Sequence, residues 1–179
     1  MNENDEEQQT PMAVKTGREL AGLAVVTLTG GERLGRVADV IFQAATGQVI
    51  GFLVDRGGMF SKPRFLAAAQ VQGLGTDALT ITSEEALTET APTGAEEIIA
   101  KPLEGRPVLN QGGTILGKVA DVAVDTDALR VPYLLLATGL LDNALHGKPQ
   151  LPLSQVRTIG ADSVIVLNTY DPKTPATSV

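Results

Sequence analysis

Between Val49 and Val54 the chain sets Ile50, Phe52 and Val54 on one face of an extended strand and Val49, Gly51 and Leu53 on the other. Short apolar runs of this kind, rich in β-branched residues and bounded by turn formers, recur along the whole chain. In the first half they predict strands over residues 24–28, 33–42, 49–54, 65–69 and 78–81, with a further short one within 70–74. Residues 16–20 read as a short turn leading to Leu23, and Thr29-Gly30-Gly31-Glu32 as a two-residue hairpin turn, since paired glycines accept positive φ. Gly35 falls inside a strand, where a glycine marks a bulge or a sharp bend. Alternation lapses over residues 83–102. There Ser83-Glu84-Glu85 and residues 96–100 read as helical turns in a connector, with residues 91–94 its most flexible part. The second half predicts strands over 107–109, 114–124, 131–137, 151–153 and 163–167, with a turn at Asp125-Thr126-Asp127 and a long loop over 138–149.

The two halves are copies. Gly30-Gly31-Glu32-Arg33-Leu34-Gly35-Arg36-Val37-Ala38-Asp39-Val40 returns as Gly112-Gly113-Thr114-Ile115-Leu116-Gly117-Lys118-Val119-Ala120-Asp121-Val122, at an offset of 82 (112 − 30). Both turn glycines, Leu-Gly, a basic residue and Val-Ala-Asp-Val agree, which makes this an internal duplication. Later elements align at 85 (Asp77 with Asp162, 162 − 77), so the second copy has gained residues, most simply in the loop before Pro149. Short strands, tight hairpins and an interior glycine in each half predict an all-β chain of two tandem small, mostly antiparallel barrels.

These residues resemble the PRC-barrel family, through Leu-x-Gly, an apolar strand, Gly-x-x-Leu-Gly-basic-Val-x-Asp-Val and a late Leu-Pro-x-x-x-Val. The late motif is intact as Leu151-Pro152-Leu153-Ser154-Gln155-Val156 and lacks its proline in the first copy, Leu66-Ala67-Ala68-Ala69-Gln70-Val71. The resemblance implies a six-stranded barrel per copy, a role in mediating interactions, and no common catalytic residue set. Relatives in that family include the cytoplasmic domain of the photosynthetic reaction-centre H subunit and the C-terminal domain of a ribosome-maturation factor. The expected organisation is a disordered acidic tail over 1–15, a first barrel over 16–87, a linker over 88–100, a second barrel over 101–170 and a frayed tail over 171–179.

Composition narrows the function more than it identifies it. Hydrophobic residues make up 43% but aromatics only 3% and Trp is absent, so the cores are filled by Val, Leu, Ile and Ala and offer no stacking platform for bases. The net charge of −7 disfavours wide phosphate contact, and with it nucleic acid, while leaving room for a local basic patch. With no Cys there are no disulfides or thiolate metal sites. No apolar run reaches the length of a membrane span, and an acidic N-terminus is unlike a secretory signal, so the cytoplasm is the expected compartment.

Candidate chemistry is sparse. Asp39 and Asp121 are the acidic residues shared by both motif copies. They read either as a paired carboxylate site across a two-fold between the halves or, more simply, as acceptors for a turn or bulge amide. Arg36 and Lys118 read as outward strand charges or salt-bridge partners and, being different residue types, do not look like a bidentate site. His146, the sole histidine, has Asp142 nearby but no recognisable nucleophile, and reads as a loop histidine. Asp125 and Asp127 lack the length, glycine and terminal Glu of a calcium loop. No catalytic residue, cofactor or metal ligand is assigned. The expected function is therefore a non-catalytic protein-interaction or assembly module, with ribosome or RNA maturation and assembly of a membrane (photosynthetic) complex as alternatives. The expected partner surface is the pair of long loops carrying Met59 and Phe60 in the first copy and Leu140, Leu141 and Leu145 in the second. Large apolar side chains there either plug a barrel end or form an exposed patch for a protein partner or for self-association.

Overall fold

The computed structural model describes residues 12–58, 61–92, 96–138 and 148–172. The first unit begins with β1 (Val14–Thr16) and the single-turn helix α1 (Gly17–Leu20), and continues through β2 (Ala24–Thr27), β3 (Arg33–Gln43), β4 (Val49–Asp55), β5 (Arg64–Ala67), β6 (Val71–Leu74), β7 (Ala78–Ile81) and β8 (Leu87–Thr88). The second contains β9 (Glu97–Ile99), β10 (Pro107–Leu109), β11 (Ile115–Asp125), β12 (Arg130–Ala137), β13 (Gln150–Pro152), β14 (Val156–Ile159) and β15 (Val164–Val166). One sheet runs β6-β7-β2-β3-β4-β5-β8 and the other β14-β15-β10-β11-β12-β13, so six strands correspond one to one in the same order. Among the described residues only β2–β7 and β10–β15 are parallel; every other pairing is antiparallel. The fold is the expected all-β duplication.

The shared motif is explained by two bulges. In β3 the register with β2 skips Leu34, and the register with β4 skips Ala38. In β11 the equivalent skips fall at Leu116 and Ala120. A bulge adds one residue and restores the original face. Leu34, Val37 and Val40, spaced three apart, are consequently all buried in the core, at 8%, 2% and 1% exposure. An unbroken strand would send alternate members of that series to opposite faces.

The two sheets exchange their leading strands. β1, which precedes the first unit, pairs with β11 of the second, with Val14 opposite Asp125 and Thr16 opposite Ala123. β9, which precedes the second unit, pairs with β3 of the first, with Glu97 opposite Gln43 and Ile99 opposite Ile41. Gln43 and Asp125 are motif equivalents at the same offset of 82 (125 − 43), so the exchange is reciprocal and pseudo-two-fold. Gln48 also bridges Arg130, its own equivalent (130 − 48), and is flanked by Val49 N–H to Leu129 O at 2.9 Å and Val131 N–H to Gly47 O at 2.7 Å. Buried residues of both units form one continuous cluster, from Leu20, Phe42 and Phe52 to Leu103, Val124 and Leu134. Units of this size are individually marginal, and a common core lets each complete the other.

Three local expectations are corrected. The glycine-pair turns are five-residue loops, 28–32 and 110–114, in which only Gly31 (φ 67°) and Gly113 (φ 82°) take positive φ. Polar side chains close them: Thr27 Oγ1 accepts Glu32 N–H at 3.1 Å, and Asn110 Oδ1 accepts Gly112 and Thr114 N–H at 3.0 and 2.9 Å. Residues 96–100 supply strand β9 rather than a helical turn, because the open edge of β3 offers Glu97-Ile98-Ile99 a ladder and a core contact for Ile98. Val14 and Lys15, grouped by composition with the acidic tail, belong to β1.

Candidate functional site

The motif aspartates meet where the two units join. Each lies just past its bulge, and its carboxylate folds back on the main chain: Asp39 Oδ1 accepts Val40 N–H at 2.8 Å, and Asp121 Oδ1 accepts Val122 N–H at 2.8 Å. Each also reaches into the other unit. Asp39 accepts Lys101 N–H at 3.0 Å through Oδ1 and 3.3 Å through Oδ2; Asp121 Oδ2 accepts Arg18 N–H at 3.4 Å. Lys101 is the first residue of the short helical turn that follows β9, and Arg18 the second residue of α1, which follows β1. A carboxylate from one unit thus satisfies an orphan N–H at the start of the other unit's turn.

The strand exchange sets up this geometry. The turn after β1 is α1, capped by Thr16, whose Oγ1 accepts Glu19 N–H at 3.2 Å while Glu19 returns a carboxylate to Thr16 N–H at 2.6 Å. That hydrogen bond from the Thr16 main chain holds the Glu19 carboxyl below its ordinary range. Leu20 and Leu103, at matching places in the two turns, are fully buried and anchor them to the common core. Asp39, Asp121, Arg18, Lys101 and Glu104 line one cavity of 230 Å³ between the units. Arg18 bridges Glu104 at 2.6 Å, lies 3.9 Å from Asp121 and donates to Ala120 O at 3.1 Å.

Burial pushes the Asp39 carboxyl above its ordinary value of 3.8, against the pull of the Val40 and Lys101 amides. A raised carboxyl pKa means that the folded state binds this proton more tightly than the unfolded chain does. The group's contribution to stability therefore falls as pH rises from 3.8 through the folded value, and it recovers on acidification. Asp39→Asn keeps an acceptor for both amides without the charge and should cost less than about 1 kcal/mol, whereas Asp39→Ala orphans them and should cost about 1–3 kcal/mol. Urea unfolding at neutral pH checks the order of the two variants. Repeating it as pH is lowered should show the parent gaining on the Asn variant.

The reading of the aspartates as bulge-amide acceptors has its counterpart in these hydrogen bonds, and both residues line the cavity between the units. Their lone pairs are directed at main-chain amides, so what they do here is join the units. Asp125 is a turn former, accepting Asp127 and Ala128 N–H at 3.0 Å each. Gly35 and Gly117 sit beside the first bulge, opposite Val25 and Val108. Met59, Phe60, Leu140, Leu141, Leu145, Asp142 and His146 lie outside the described residues. Sequence reasoning missed Lys101 and Arg18 as partners of the aspartates, because they act through main-chain N–H groups that any residue but proline carries.

The profile of the PRC-barrel domain matches the chain twice, over residues 12–87 and 95–171. The chain belongs to the PRC-barrel domain family, as a tandem duplication. Both matches begin before the exchanged strand, so each family unit includes the segment it gives away. No curated protein matches the chain. Among the described residues no helix is long and apolar enough to cross a membrane.

Proposed function

We propose that this protein is a non-catalytic protein-interaction or assembly module whose two PRC-barrel units present a common partner with two related surfaces. The observation that supports this reading best is the reciprocal exchange of β1 and β9. It joins the units through a shared core and a shared cavity, so that equivalent loops are carried by one body in a fixed relation. Such a body suits holding two parts of an assembly at a set distance. The family adds weight, since its domains commonly serve interaction.

In this reading the partner surface is the pair of loops after β4 and β12, carrying Met59 and Phe60, and Leu140, Leu141 and Leu145. An exposed apolar cluster of that kind binds a partner or a second copy. Phe60→Asp and Leu141→Asp should leave the melting temperature nearly fixed, while removing a partner captured from the native host or lowering the mass found by light scattering. A loss of several kcal/mol of stability with association unchanged would place these side chains in the barrel ends instead and defeat the interface.

A further inference from the structure

The geometry points to a carboxylate-binding cleft on the first unit, at the open end of β3, that takes an acidic segment of a protein partner. The first bulge of β3 creates it. Residues three apart on a regular strand face opposite ways. With Leu34 taken up by the bulge, Arg33 and Arg36 are both exposed on the outer face while Leu34 and Val37 are both buried. Asp55 pairs opposite Arg36, and Arg56 and Gly57 follow it off the end of β4. Together with Leu34 and Gly35 these residues line a cleft of 390 Å³.

The charges inside it are unevenly committed. Arg56 is neutralised by Glu84 at 2.6 Å, and the Asp55 carboxylate accepts Gly57 N–H at 2.8 Å. Among the described residues neither Arg33 nor Arg36 forms an ion pair. Two unpaired guanidinium forks thus share a concave site on a chain whose net charge is −7.

The duplication supplies an internal control. β11 has the same bulge, with Val108 opposite Gly117 and Leu109 opposite Ile115. Yet Arg33, Arg36, Asp55 and Arg56 are replaced there by Ile115, Lys118, Ala137 and Thr138, each at the offset of 82. The fold holds this backbone with Lys118 in place of Arg36, and Arg56 has a structural partner in Glu84, so it is the presence of Arg33 in one copy only that needs a reason other than structure. Recognition of a planar oxyanion supplies one, since the guanidinium fork pairs bidentately with carboxylates. A polyphosphate or nucleic acid backbone is disfavoured by Asp55 within the cleft and by the acidic remainder of the chain. An isolated carboxylate pair, carrying fewer negative charges, meets less of that repulsion.

This assignment rests on the interaction-module reading and gives it a polarity: the acidic segment marks the first unit, beside the loop that carries Met59 and Phe60. The test is titration of the isotope-labelled full chain with a capped peptide carrying two glutamates, its glutamine counterpart and inorganic phosphate. The glutamate peptide should shift the amides of Arg33, Gly35, Arg36 and Gly57, and the glutamine peptide should not. Arg33→Ile with Arg36→Gln, the first borrowed from the second unit, should keep the melting temperature and weaken binding about tenfold or more. Shifts that survive the double variant overturn the cleft, as does inorganic phosphate producing the same shifts at lower concentration than the peptide. A host partner still captured by the double variant would end the cleft assignment and leave the module standing. Peptide binding at the cleft, with no partner captured by the parent chain, would do the reverse.

Discussion

Gly35→Val should destabilise the protein by about 1–3 kcal/mol, although valine is the better strand former of the two. The reason is contact, since Gly35 does not have positive φ. A Cβ there would fall well inside van der Waals distance of the Asp55 carbonyl oxygen, 3.0 Å from its carbon and 3.1 Å from Arg56 Cα. All of these are main-chain atoms at the end of the partner strand and just past it, and relief requires opening the β3–β4 ladder where Arg36 faces Asp55. Gly117→Val should cost less, because its Cβ would meet one main-chain atom at close range, Ala137 O at 2.8 Å, and otherwise a Thr138 side-chain methyl at 3.2 Å. Gly30→Ala is the control in the same motif: its nearest neighbour would be a Glu32 side-chain carbon at 3.4 Å. Urea unfolding of the three variants should rank them Gly35, Gly117, Gly30. An unchanged midpoint for Gly35→Val would remove close packing as the reason for the motif glycine.

The duplication made the strand order legible, because two weak readings of the same element reinforce each other. β3 and β11 were placed to within a residue or two, and the interior glycine correctly announced a bulge. The second bulge was hidden. Leu34, Val37 and Val40 repeat every three residues, a spacing that matches no unbroken strand, and Ala38 carries no mark of being the extra residue. The hairpins misled because consecutive glycines suggested positive φ at both positions, whereas Thr27 and Asn110 close longer loops with their side chains.

The exchange could not be read locally. β1 and β9 are three residues each, and whether Glu97-Ile98-Ile99 turns or extends is decided by an edge of β3 far away in sequence. The candidate site was half visible for the same reason. Asp39 and Asp121 stood out as shared carboxylates, but their partners across the interface are main-chain N–H groups placed by tertiary structure.

Cutting the chain within residues 93–95 should produce two fragments that are each much less stable than the parent. The first would keep β1, whose place is on β11, and the second would keep β9, whose place is on β3. Apart, each long strand loses a neighbour, and Val124 and Phe42, fully buried in the whole chain, lose cover. Asp39 loses the Lys101 amide, Asp121 loses the Arg18 amide, and the Gln48–Arg130 bridge is broken. Several hydrogen bonds worth about 1 kcal/mol each, together with the apolar contact across the common core, make this the largest effect expected of any single change. Hydrogen exchange on an equimolar mixture of the fragments is the decisive measurement. A one-to-one complex that regains protection at Val14–Thr16 and Glu97–Ile99 is the predicted result; two stable fragments that stay apart, with those amides unprotected, would contradict it.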